Sequence, residues 1–206
     1  MRYTIRPPFF LKWYYTDALW RVPTRGKEVY LTFDDGPHPA VTPFVLEQLR
    51  AHGARATFFF IGNNVRKYPE VAERVRREGH HIGNHTYDHL NGWSVNTAAY
   101  LENIEKARGL IPDDLFRPPY GRLTRRQLQG IRERHPQMKV VMWDVLSGDF
   151  DPRLSGEDCY NNVMGRLRSG SVVGFHDSEK AFPRLELCLP KVLESLNKAG
   201  VPFGVL

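Results

Sequence analysis

The chain has 206 residues, 41% apolar and 25% charged, which is the composition of one globular domain with a sizeable core. A disordered tail, a collagen-like repeat and a coiled coil are excluded. Twenty-nine Lys+Arg against twenty-three Asp+Glu give a net charge of +6. The basic residues are scattered, densest at Arg122, Arg125 and Arg126, so no nucleic-acid partner is expected. Cys159 and Cys188 are too few for a disulfide framework and lack metal-ligand spacing. They read as free thiols of a reducing compartment, with a single bridge as the alternative.

No stretch approaches the ~20 apolar residues of a membrane span. The first segment is aromatic (Phe9, Phe10, Trp13, Tyr14, Tyr15, Trp20), but Lys12 and Asp17 interrupt it and no small-residue cleavage site follows. It does not read as a signal peptide, so a cytoplasmic location is expected, with envelope association left open. Residues 1–26 are expected to pack on a domain spanning 27–206, and an aromatic contact with a membrane surface is the alternative.

Gly and Pro divide the remainder into a regular alternation. A strand is expected at Glu28–Phe33, a helix at Pro43–Gly53, and a strand buried on both faces at Ala56–Ile61. A helix at Pro69–Gly79, a short strand at His80–His85 and a helix at Ser94–Leu110 follow. Next come a short strand at Leu115–Arg117, a helix at Thr124–Arg134 and a strand at Lys139–Val145. A helix at Gly156–Arg168, a strand at Ser171–His176, a helix at Pro190–Gly200 and a closing strand in VPFGVL complete the chain. Successive βα units without a long linker define one α/β domain, either a doubly wound sheet or a TIM-like barrel.

Both architectures collect functional groups at the carboxyl ends of the strands. Those ends carry Asp34 and Asp35, His85 and His89, Arg117 and Tyr120, Asp144 and Asp149, and His176 and Asp177. His85 and His89 have the spacing that would stack them on one face of a helical turn. With one carboxylate they make a catalytic zinc set with an open position. Asp34 and Asp35, adjacent on a strand, point apart, so one can bind metal while the other serves as base. His176 can protonate a leaving group. The remaining histidines (His38, His52, His80, His81, His135) read as surface, loop or supporting residues.

TFDDGP (Thr32–Pro37), HTYDH (His85–His89), RPPYG (Arg117–Gly121), WDVLSGDF (Trp143–Phe150) and VVGFHD (Val172–Asp177) resemble, in order, the five motifs of the polysaccharide deacetylase family. This is the NodB-homology group, carbohydrate esterase family 4. The resemblance runs from about Lys27 to the C-terminus. It implies a distorted (β/α) TIM-like barrel, seven-stranded, and hydrolysis of acetyl groups on a glycan such as peptidoglycan or a chito-oligosaccharide. It implies one divalent ion, Zn2+ first and Co2+ or Ni2+ next, on Asp35, His85 and His89. It also implies Asp34 as catalytic base, Arg117 orienting it, the Tyr120 N–H donating to the oxyanion, and His176 as general acid.

Three positions depart from the family pattern, one of them Phe150, which replaces the usual Trp. Leu146 stands where an Asp that supports the catalytic histidine is usual, so Asp149, or else Asp144, would have to orient His176, or nothing does. Gly174 stands where a Leu is usual, which alters the expected acetyl pocket. A carbohydrate-binding protein without catalysis and a carboxylate-pair glycosidase are the competing readings.

Overall fold

A computed structural model describes residues 4–206. In chain order the elements are α1 (Phe9–Tyr14), β1 (Val29–Asp34), α2 (Val41–Ala51), β2 (Thr57–Phe60), α3 (Gly62–Lys67) and α4 (Pro69–Arg77). They continue with β3 (His81–Asn84), α5 (Thr97–Arg108), β4 (Leu115–Phe116), a 3-10 turn at Pro119–Gly121, α6 (Arg125–Arg134) and β5 (Lys139–Val140). The last are β6 (Val145–Leu146), α7 (Gly156–Met164), β7 (Val172–His176), α8 (Phe182–Lys198) and β8 (Phe203–Gly204).

All strand pairs are parallel, in the order β5-β4-β3-β2-β1-β7-β6, with β8 added to the start of β1. The two outer strands, β5 and β6, are consecutive in the chain and only four residues apart. The sheet therefore curls until its edges nearly meet, giving the distorted seven-stranded barrel. Lys139–Val145 is not one strand. Its first part pairs with β4, Val141 N–H still reaching the Phe116 carbonyl, and by Asp144 the N–H has crossed to the Val172 carbonyl of β7. The apolar run hides this break because both halves are buried.

The N-terminal segment touches both sides of the resulting gap. Leu19 bridges Val141 beside β5, while the Ile5 carbonyl accepts from the Leu146 N–H of β6. Tyr15 and Trp20 are buried against α5 and α6, and the Tyr15 hydroxyl donates to the Leu123 carbonyl at 2.6 Å. Inside the barrel Phe59, Leu115, Val141 and Val172 form one small cluster, and the larger core lies between the sheet and α2, α4, α7 and α8. Cys159 and Cys188 are buried there as free thiols. Among the described residues no helix is long and apolar enough to cross a membrane.

Three helices lie outside the expected pattern, the first being α1 in the aromatic N-terminal segment. α3 follows β2 directly, and the last helix begins at Phe182, so that Pro190 sits inside it instead of starting it. Pro190 follows the buried pair Cys188 and Leu189, whose packing holds the helix through a residue that cannot donate its own N–H.

Candidate active site

Parallel strands place every carboxyl end on one rim, and five of the sequence-identified side chains meet there around Asp34. His85 follows β3, and its Nδ1 lies 2.7 Å from the Arg117 carbonyl. A carbonyl only accepts, so Nδ1 carries the proton and the Nε2 lone pair is free. That Nε2 lies 3.7 Å from Asp35 Oδ1, and His89 Nε2 lies 3.2 Å from the same oxygen. The three ligand atoms are all within 4.8 Å of one another. Burial pushes the His85 pKa down to about 4 against the opposing field of Asp34, which keeps the ring neutral. For Asp35 burial acts upward, but the His89 hydrogen bond and the nearby histidines hold its carboxyl well below the usual range. Two imidazoles and one carboxylate at these separations suit a divalent cation.

The histidines do not converge through a helical turn. His85–His89 is irregular, and Thr86 (φ 62°) and His89 (φ 55°) are left-handed. Two asparagines hold this shape. Asn84 Oδ1 accepts from the Thr86 N–H, and Asn103 Oδ1 accepts from the N–H groups of Tyr87 and Asp88. Among the described residues, the non-glycine positions with positive φ are Asp35, Thr86, His89 and Tyr120. All four lie at this rim. Such conformations cost about 1–3 kcal/mol each and persist where surrounding structure enforces them. The left-handed turn at Asp35 (φ 80°) also separates its carboxylate from that of Asp34.

Asp34 ends β1 and is held by Arg117, whose Nη1 donates to Asp34 Oδ1 at 2.7 Å and to Thr32 Oγ1 at 2.7 Å. The same guanidinium donates to the carbonyls of Met142 and Val141 and lies over the Phe59 ring at 4.1 Å. Arg117 is fully buried. It ties Asp34 to the very carbonyls left over where β5 breaks from β6, which a sequence reading cannot show.

His176 ends β7 beside Asp34, in register with it. Its support is Asp149: Oδ1 accepts from His176 Nδ1 at 2.8 Å and Oδ2 from the His176 N–H at 2.8 Å. Burial would lower the His176 pKa, but the Asp149 charge and hydrogen bond raise it to about 9. Leu146 therefore does not leave His176 without a carboxylate partner. Asp144 is not an alternative. The strand break makes it the residue before β6, and it binds Arg168, Ser171 and Lys12 instead. Burial acts to raise its pKa, yet those partners lower it to about 2.

Tyr120 lies in the 3-10 turn, and its half-exposed ring meets His89 edge-on at 4.7 Å. Asp177, which the rim pattern located without a role, is fully buried. It accepts from the Gly36 N–H and the Thr42 hydroxyl, clamping the loop that carries Asp34 and Asp35. Burial pushes its carboxyl well above the usual range. Thr32, Asn84 and Asn103 were missed as supporting residues, although the TFDDGP and GNH strings place the first two beside the functional positions.

The family described as "Polysaccharide deacetylase" matches residues 21–136, and the chain belongs to that family. It is 35% identical over 191 residues to a peptidoglycan-N-acetylglucosamine deacetylase of Bacillus cereus, covering 89% of this chain and 68% of that protein. It is 37% identical to a chitooligosaccharide deacetylase of Azorhizobium caulinodans, covering 76% and 77%. The crystal structure of the Bc1960 peptidoglycan N-acetylglucosamine deacetylase superposes with a TM-score of 0.87 at 33% identity, over 97% of this chain and 95% of that one. The fold is shared also with a family 4 pseudoenzyme of Bacillus anthracis (TM-score 0.80, 23% identity, 91% and 66% covered).

Proposed function

We propose that this protein removes N-acetyl groups from an amino-sugar glycan of the peptidoglycan or chito-oligosaccharide kind, with a divalent ion held by Asp35, His85 and His89. The observation that carries this reading is the convergence of that donor set with two separately oriented proton carriers, Asp34 on Arg117 and His176 on Asp149. A module that only bound sugar would need neither carrier. A glycosidase pair would leave Asp35 free of the histidines.

Bound there, a divalent ion supplies Lewis acidity that polarises the acetyl carbonyl and makes water a better nucleophile. Zinc suits the imidazole-rich set, with cobalt or nickel as substitutes. Asp34 takes the proton of the attacking water, oriented by the Arg117 fork. The Tyr120 N–H, presented by a left-handed turn beside His89, donates to the oxygen as charge develops. His176 gives its Nε2 proton to the departing nitrogen as the C–N bond breaks, leaving acetate and the free amine. Residues 27–206 form the catalytic domain on this reading, and 1–26 an aromatic segment lying on it.

Acetate release from chito-oligosaccharide and from peptidoglycan, before and after chelation and after return of zinc, tests the proposal. Activity indifferent to chelator, in protein shown by elemental analysis to be metal-free, would refute it.

A further inference from the structure

A helix that covers a core normally turns its apolar stripe inward and its charges to water. α1, with the sequence FFLKWY, does the reverse. Its one charged residue, Lys12, reaches inward to the buried Asp144 at 3.1 Å, and Leu11 packs on the Tyr15–Trp20 cluster. Phe9, Phe10, Trp13 and Tyr14 all face outward. Phe9 and Trp13, one turn apart on the same side, are 84% and 74% exposed, the highest values for large apolar side chains among the described residues.

The orientation is fastened from within. Pro7 and Pro8 lead into the helix, and Tyr15, just past it, is buried with its hydroxyl on the Leu123 carbonyl. Lys12 shares the Asp144 carboxylate with Arg168. Rolling the aromatic face inward would strip a buried carboxylate of one of its cations.

Cations border the same face. The Arg125 guanidinium lies over the Tyr14 ring at 4.6 Å, and Arg122 lies over the exposed Trp93 at 4.8 Å. Arg126 is exposed beside Arg125. Among the described residues none of these three arginines pairs with a carboxylate. Arg125 and Arg126 open α6, where the helix dipole disfavours positive charge, and no acidic residue in that first turn offsets it.

Protruding aromatic rings bordered by unpaired arginines match a bilayer with negative headgroups. The rings enter the interfacial layer and the guanidiniums meet the phosphates. Phe9 and Trp13 form a ridge, and neither lines the neighbouring groove between α1 and the RPPYG turn. A fluid surface closes round a ridge, whereas a folded partner would need a matching cleft. A second copy across a twofold axis would set the same arginines against one another.

We propose that α1 and the arginines beside it dock this protein on an anionic membrane surface. The proposal does not depend on the reaction at the rim. Tyr120 lines the groove with Phe10 and meets the His89 ring at 4.7 Å, so the docked protein holds its rim beside the lipid headgroups.

The test sediments the full chain with vesicles of phosphatidylcholine alone and of equimolar phosphatidylcholine and phosphatidylglycerol. The wild type binds the mixed vesicles about tenfold more tightly than the neutral ones. Phe9→Ala and Trp13→Ala each weaken that binding about tenfold, the effect of losing one inserted ring. Arg125→Gln and Arg126→Gln each weaken it about fivefold. All four side chains are exposed, so the variants fold. Leu187→Ala, an exposed apolar truncation on α8, leaves binding as it is. No vesicle binding by the wild type, or equal binding by the wild type and the Phe9→Ala/Trp13→Ala double variant, overturns the proposal. Binding lost in the arginine variants but kept in the aromatic ones also overturns it, and makes the face a site for a soluble polyanion. So does a dimer in sedimentation velocity that both aromatic variants dissociate while the wild type ignores vesicles.

Discussion

His85 and His176 are both buried imidazoles at the ends of parallel strands, yet their environments drive them to opposite protonation states. His85 donates Nδ1–H to a neutral carbonyl, so burial dominates and its pKa falls to about 4. His176 donates Nδ1–H to the Asp149 carboxylate, whose charge overcomes burial and lifts it to about 9. One acceptor, neutral or anionic, decides whether a rim histidine offers a lone pair or a proton. The fold thereby holds a neutral imidazole and a protonated one within a single site.

The largest effect is expected at the carboxylate between these halves. Asp34→Asn keeps the side-chain volume but removes the proton acceptor, so activity falls by about 10²–10⁴ while metal content stays at one ion. Asp35→Asn instead loses the ion. Steady-state rates with elemental analysis of both variants check the division, and exchanged outcomes would exchange the two roles.

Arg117→Met comes next. It leaves Asp34 buried without its partner and frees the Val141 and Met142 carbonyls at the barrel seam. Breaking a buried pair on one side costs about 3–5 kcal/mol, readable as a lower denaturation midpoint at unchanged m-value. A loss of activity without loss of stability would mean that the seam does not depend on this side chain.

Asp149→Asn sharpens the comparison itself, because the amide can still accept from Nδ1 but carries no charge. His176 must be protonated to act as acid, so the wild-type rate falls as pH rises through about 9. In the variant the largest upward contribution is gone, and that limb moves to lower pH. Stability follows the same linkage. A pKa raised in the folded state contributes stability that is fully present below ~6.5 and is lost as pH rises through about 9. The variant should lose that dependence between the two values. A coincident alkaline limb in both proteins would remove His176 from the acid role.

Much of this was legible in the sequence because strand ends punctuated by Gly and Pro expose the rim chemistry. The βα alternation and the meeting of Asp35, His85 and His89 near Asp34 needed only local pattern and resemblance. What stayed hidden depends on distant contacts. The continuous run KVVMWDV gives no sign of breaking, since the break is stabilised by Arg117, just after β4, and by Ile5 and Leu19 from the N-terminal segment. The same break decides between Asp149 and Asp144 as partner of His176. The HTYDH spacing suggested a helical turn, but asparagines at 84 and 103 hold a left-handed one. α3 was missed because GNNVRK carries no apolar period.

The smallest expected effect tests what lies beneath each histidine. Both are preceded, two residues back and on the same face of the strand, by a glycine: Gly83 below His85 and Gly174 below His176. A Cβ at Gly83 would meet the Phe59 ring at 2.7 Å and the Leu115 carbonyl at 3.0 Å. Phe59 cannot yield easily, because Arg117 lies across its face. A Cβ at Gly174 would meet the tip of Leu146 at 3.1 Å, and Leu146 is its cross-strand partner. A leucine tip has another rotamer; an aromatic ring under a guanidinium does not. Gly83→Ala should therefore cost about 1–3 kcal/mol by overpacking and displace His85, lowering metal affinity. Gly174→Ala should stay within about 0.5–1 kcal/mol, the order of an off-rotamer shift, with metal content intact. Gly174→Leu exceeds what the rotamer change can absorb, and Leu146→Ala in the same chain should restore most of the loss, since the two side chains compete for one space. Denaturation midpoints of the four proteins form the double-mutant cycle. Additive effects would show that Leu146 does not fill the volume above Gly174.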